Sequence, residues 1–168
     1  AVILYLHQQL DKEIRGQIEE RFADHYRDLK VTVRAAARVE GQGIEIRDLS
    51  IKQPGADGSH ATLLHVEEAL LRCNTELADF LRDGVCVRHA VIRRPTLRFA
   101  RLPDGTWSGS RLWPTPNLSE TPPDVTVENG TIEVLDLTKT PPSTLTFRDV
   151  NLTIKNRPPD AEHPGGKP

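Results

Sequence analysis

The chain carries residues able to do chemistry, but their spacing is not that of a catalytic or metal site. Histidines stand at His7, His25, His60, His65, His89 and His163, and none makes an H-x-x-x-H or H-E-x-x-H ligand pattern. His60 and His65 lie five apart across a loop-to-strand junction, where solvent-facing histidine is the ordinary outcome and a metal pair the special one. Carboxylates occur in Glu67-Glu68 and at Asp48. General acid–base work needs two of them held in a cleft with shifted pKa values, whereas adjacent charges on a strand usually form a solvated face. No G-x-x-x-x-G-K-[ST] phosphate loop is present, and Gly105-Thr-Trp-Ser108-Gly109 is not a G-x-S-x-G nucleophile elbow. The expectation is therefore no catalytic residue, no metal, no cofactor and no enzymatic activity.

Two further groups bear on binding and redox state. Arg88, Arg93, Arg94, Arg98 and Arg101 fall within one extended segment. They could bind anionic lipid headgroups, with Arg93, Arg94 and Arg98 the candidates, or phosphates, or form the charged solvated face of an edge strand. Cys73 and Cys86 flank a short helical stretch, so a disulfide in an oxidising compartment and two buried thiols both fit. N-x-[ST] triplets at Asn117, Asn129 and Asn151 matter only in a eukaryotic secreted protein.

The elements that must position these residues follow from periodicity. Ile3, Leu6, Leu10, Ile14, Ile18 and Phe22 recur every three or four residues, with charged residues on the other faces. That pattern predicts an amphipathic helix over about 2–27, roughly 39 Å long. Val31, Val33, Ala35, Ala37 and Val39 then alternate as a half-buried strand does. Gly41-Gln42-Gly43 signals a turn, Ile44 and Ile46 resume the alternation, and Leu49 and Ile51 change its parity, which predicts a bulge near Arg47-Asp48. Further strands are predicted over about 62–73 and 85–102, with a short helix over 76–83 between them. Asn74 or Thr75 would cap that helix, and Gly84 would end it. Pro95 argues for an edge position or a break in the second of these strands. Three short strands are predicted over 125–127, 131–137 and 144–154, with Asn129-Gly130 as a hairpin turn. The segments 39–51, 127–138 and 145–154 resemble one another as strand, polar step and strand bearing an Asp.

At 168 residues, 37% hydrophobic and 27% charged, the chain can build a core and stay soluble. A net charge of -2 lacks the basic footprint of a nucleic-acid binder. The apolar opening Ala1 to Leu6 is too short to span a bilayer, which takes about 20 residues. It fits the end of a transmembrane helix, or an ordinary helix start packed on a core. The stretch 157–168, RPPDAEHPGGKP, reads as a linker or tail. The expected organisation is a membrane-proximal helix over 1–28, a β-rich domain over 29–156 and a Pro/Gly-rich tail over 157–168. The fold class is α+β: a long N-terminal amphipathic helix, then a mostly antiparallel, curved sheet with one short helix inserted.

The long helix leads into Val31-Thr-Val-Arg34, then Gly43-Ile-Glu-Ile-Arg-Asp-Leu-Ser-Ile51, then the strand–helix–strand block 64–84. Val87 to Phe99, closing on Asp104-Gly-Thr-Trp107, follows, with Glu128 to Val134 and Leu145 to Val150 after it. Together these blocks resemble the N-terminal region of the AsmA-like family, related to TamB and the bridge-like lipid-transfer proteins. The resemblance implies a non-enzymatic periplasmic protein of cell-envelope biogenesis, anchored to the inner membrane by a helix ending near residue 6. It implies phospholipid acyl chains as cargo on an apolar sheet face, with Val33, Ile46 and Leu97 the lipid-facing candidates. The alternative expectation is a structural module that anchors a larger assembly of envelope proteins.

Overall fold

A computed structural model describes residues 2–56, 58, 61–73, 87–116 and 122–156. The expected helix over 76–83 with its caps, Cys86, His60, His163, Asn117 and the tail 157–168 lie outside the described residues. The side chains of Ile3, Leu6 and His7 do as well.

One helix, α1 (Val2–His25), precedes six strands: β1 (Lys30–Val39), β2 (Gly43–Lys52), β3 (Thr62–Cys73), β4 (Val87–Arg101), β5 (Asp124–Asp136) and β6 (Ser143–Ile154). They form a single curved sheet in sequential order, open because it ends on β1 and β6 without joining them. Four neighbouring pairs are antiparallel and one, β4 with β5, is parallel. The fold class is thus the α+β arrangement expected from periodicity.

The parallel pair forces a long return from the end of β4 to the start of β5. That return carries a 3-10 turn (Ser108–Leu112) and packs it back on β4 and β3. Ser108 is buried, and its Oγ accepts a hydrogen bond from the Ala100 N–H at 2.8 Å. Gly109 lies so close to Phe99 that an added Cβ would meet the ring at 1.8 Å, so only glycine fits there. The Tyr26 hydroxyl donates to the Leu112 carbonyl at 3.2 Å, which ties the return to the end of α1.

The helix packs its stripe on the sheet. Ile14 is 2% exposed and is the anchor, with Leu10, Ile18 and Phe22 packed around the same cluster. These four stand at intervals of four residues, which places them on one side of a helix. Covering a sheet face in this way stabilises by roughly 1.5–3 kcal/mol per large side chain buried.

Each of the first four strands changes the face it buries at the same level. The core cluster takes Val31 and Val33 but then Ala36, Ile46 but then Leu49, Val66 but then Ala69, and Ile92 but then Leu97. Asp48, Arg94, Asn129 and Asp149 adopt left-handed backbone there, at φ 51, 48, 54 and 54. The predicted bulge near Asp48 is therefore one member of a kink that crosses the sheet. Neighbouring strands kink together, so the β1–β2 register stays continuous on both sides of the kink, Val33 opposite Leu49 and Ala35 opposite Arg47.

Two expectations are corrected by this kink. Asn129-Gly130 is no hairpin turn, because β5 runs straight through it from Asp124 to Asp136. A two-residue type I′ turn needs positive φ at both positions, and only Asn129 has it. Pro95 neither breaks β4 nor lies at an edge, since β4 pairs with β3 on one side and β5 on the other. It follows the kinked Arg94, where the ladder is already interrupted and a missing N–H costs least.

Candidate functional site

The register places side chains of six strands in continuous apolar rows. One row runs Val31, Ile51, Leu64, Leu97, Ile132 and Phe147. A second runs Ala36, Ile46, Ala69, Ile92, Val127 and Leu152. A third begins at Ile44 and continues through Leu71, Ala90, Val125 and Ile154.

Exposure rises along each row. Ile51 and Ile46 are 0% and 2% exposed, whereas Phe147, Leu152 and Ile154 are 50%, 41% and 59% exposed. Leu145, opposite Val134, is 57% exposed. The cause is the cover. Helix α1 lies over the β1 end and the 3-10 return lies over β3 and β4. Among the described residues neither reaches β6, so an apolar face that is core at one end emerges as exposed surface at the other. From Leu145 to Ile154 this surface extends roughly 30 Å along the strand. That is about twice the ~15 Å of hydrocarbon in one bilayer leaflet.

The opposite face carries a belt of charge at the kink. A parity change leaves two consecutive residues pointing away from the core in each strand, which explains the doublets Arg47-Asp48, Glu67-Glu68 and Arg93-Arg94. Arg34 pairs with Asp48, Arg94 with Glu67, and Arg93 with Glu68. Arg93 Nε also reaches Glu128 at 3.0 Å, and Arg98 Nε reaches Glu133 at 2.5 Å. The hydrogen bond to Glu128, then that to Glu68, raises the Arg93 pKa above the ordinary arginine value. On the same face His65 Nδ1 lies 3.1 Å from Ser50 Oγ, and its Nε2 lies 3.7 Å from Asp48. This Ser, His and Asp grouping occupies adjacent strands, with the carboxylate engaged by Arg34.

The expected site residues divide accordingly. Val33 and Ile46 belong to the right face but are 5% and 2% exposed, inside the cluster that α1 seals. Packing gives them to the core and denies them to a ligand. Leu97 is half-buried at the edge of that cluster. Arg93, Arg94 and Arg98 lie on the far face from these three, each held by a glutamate, so they are not free cations beside the apolar rows. Cys73 closes β3, half-buried. Among the described residues no group of three or more His, Cys, Asp or Glu is placed to hold a metal ion. No described helix is long and apolar enough to cross a membrane.

Sequence reasoning missed Leu145, Phe147, Leu152 and Ile154 as surface. Their signal was visible as alternation with Thr144, Thr146, Asn151 and Thr153. Alternation marks an apolar face and is silent on whether anything covers it.

Comparison with protein-family models, with curated proteins and with solved structures returned no match for this chain.

Proposed function

We propose that this chain belongs to a membrane-anchored periplasmic protein of cell-envelope biogenesis that assists phospholipid transfer between inner and outer membranes, without catalysis. The observation that carries the proposal is the open end of the three apolar rows. Phe147, Leu152 and Ile154 end those rows, and with Leu145 beside them they are large, exposed and continuous with the core. An acyl chain laid on them removes apolar surface from water on both partners, for about 1 kcal/mol per half-exposed side chain. The headgroup stays in water at the open β6 edge. The resemblance to the AsmA-like family points the same way.

Vesicle-to-vesicle transfer of a fluorescent phospholipid tests it. Transfer above the protein-free rate, lost in Phe147→Asp with Leu152→Asp, is the expected result. Wild-type protein that leaves the rate unchanged would sink the proposal.

The second reading is a structural module anchoring a larger envelope assembly. The observation favouring it is that, among the described residues, β6 pairs only with β5 and forms an edge of the sheet. A strand added to that edge would cover the same apolar residues. In that case the protein would bind a partner strand and carry no lipid.

A further inference from the structure

A second surface, away from the apolar rows, combines exposed indole with unpaired cations. Trp107 and Trp113 flank the 3-10 turn, one at each cap position. They are 45% and 78% exposed, and Trp113 is the most exposed large apolar side chain described. Arg111 lies between them in sequence and joins His25, Tyr26, Arg27, Asp28 and Leu29 in lining an open recess. Two guanidiniums therefore face one carboxylate, Asp28. Arg27 and Arg111 make no ion pair among the described residues, as Arg38, Arg72, Arg88 and Arg101 also do not, and Arg27 Nε donates to the Asp24 carbonyl at 3.4 Å.

The corner is built firmly. Gly109 sits against the Phe99 ring, Ser108 is tied to β4, and Tyr26 holds the Leu112 carbonyl. His25 Nε2 donates to the Pro114 carbonyl at 2.7 Å, and its ring stands edge-on to Tyr26 at 4.7 Å. The main chain on both sides of the tryptophans is thus fixed, with the indoles left outside the core. An indole has an apolar body and one N–H donor, so it is most stable at a water–lipid boundary. Guanidiniums with no carboxylate partner, such as Arg27 and Arg111 at the same corner, are attracted to lipid phosphates.

We propose that this corner docks the protein on an anionic phospholipid surface, with Trp107 and Trp113 entering the headgroup layer and Arg27 and Arg111 contacting phosphate. The charge complementarity selects an anionic bilayer over a neutral one. The inference does not rest on acyl-chain binding at β6.

Co-sedimentation of the full chain with vesicles, with tryptophan emission as the second readout, tests it. One vesicle is pure phosphatidylcholine and the other has one third phosphatidylglycerol. Binding to the anionic vesicle with a blue-shifted emission is expected, weakening with salt. Arg27→Gln with Arg111→Gln should weaken it roughly thirty-fold. Trp113→Ser should lower it too, and at 78% exposure that change leaves the fold intact. Arg93→Gln, on the charged face and already matched by glutamates, should bind as wild type. Equal binding to both vesicles, no binding, binding only to an acidic peptide, or unaltered binding by the corner variants would overturn it.

Discussion

Arg94 of β4 holds Glu67 of β3 across the level where both strands change the face they bury, and Arg94 itself is in left-handed backbone at φ 48. The same level contains Asp48, Asn129 and Asp149 in the same conformation. Asn151 spans the β5–β6 step, accepting from the Asn129 N–H at 2.9 Å and donating to the Asp149 carbonyl at 2.8 Å. The kink is thus stitched by side chains from β1 to β6.

Asn129 gives a direct test of that kink. Its side chain is exposed, so a substitution there acts mainly through backbone conformation. Asn129→Val should destabilise by about 1–2 kcal/mol, the cost of left-handed backbone for a residue with a crowded Cβ. Asn129→Gly should lie within a few tenths of a kcal/mol of wild type. Urea unfolding of the two variants measures both. Equal stability would mean that the backbone at 129 is not left-handed.

The belt explains more of the charge pattern than any binding role does. Arg93 sits between Glu68 and Glu128, with its side chain 40% exposed and theirs 24% and 45%. Pairs this open are screened, so Arg93→Gln should cost at most about 1 kcal/mol. The same variant should leave vesicle binding unchanged, because Arg93 is on the charged face and its charge is already matched. Reduced vesicle affinity in Arg93→Gln would return it to the headgroup role expected from sequence.

Much of this was legible in the residues, and the reasons for the rest are physical. The Ile14 stripe and the alternation from Val31 to Val39 predicted α1 and β1 because burial demands those periods. The parity change from Ile46 to Leu49 predicted one bulge, but only the register revealed that neighbouring strands share it. The segments 39–51, 127–138 and 145–154 resemble one another as strand, polar step and strand bearing an Asp. In the fold, Asp48 and Asp149 do correspond, as kinked residues, while Asn129 and not Asp136 is their counterpart in β5. Asn-Gly predicts a turn because both residues tolerate left-handed backbone, and the kinked strand uses that tolerance at Asn129 alone. Val33 and Ile46 could not be told from Phe147 and Leu152, because the cover over the sheet comes from α1 and the distant return.

Two Asp-x-Thr turns close β4 and β5 and respond to acid. Asp104 Oδ1 accepts from the Thr106 hydroxyl at 2.7 Å and its N–H at 2.9 Å, and Asp136 does the same with Thr138 at 2.5 and 3.0 Å. The threonine hydroxyl, then its N–H, stabilises each carboxylate and holds its pKa below the ordinary 3.8. A depressed folded pKa means that the unfolded chain takes up protons first as pH falls. The stabilisation is therefore complete above about pH 4 and is lost as pH falls through the folded values. Thr106→Val should move the Asp104 pKa part of the way back up, since the N–H remains, and leave Asp136 where it was. Carboxyl-carbon NMR titration reads both, and an Asp104 value indifferent to the substitution would refute the assignment.

The central claim is that the open ends of the apolar rows hold an acyl chain while the sealed ends do not. A photo-crosslinking phenylalanine analogue placed at Phe147, at Leu152 and at Val33 in turn, with the protein expressed in a Gram-negative periplasm and the adducts weighed by mass spectrometry, tests it most directly. Phospholipid adducts at 147 and 152 and none at 33 are the predicted result. Adducts at 33 alone, or protein adducts in place of lipid at 147 and 152, would contradict it.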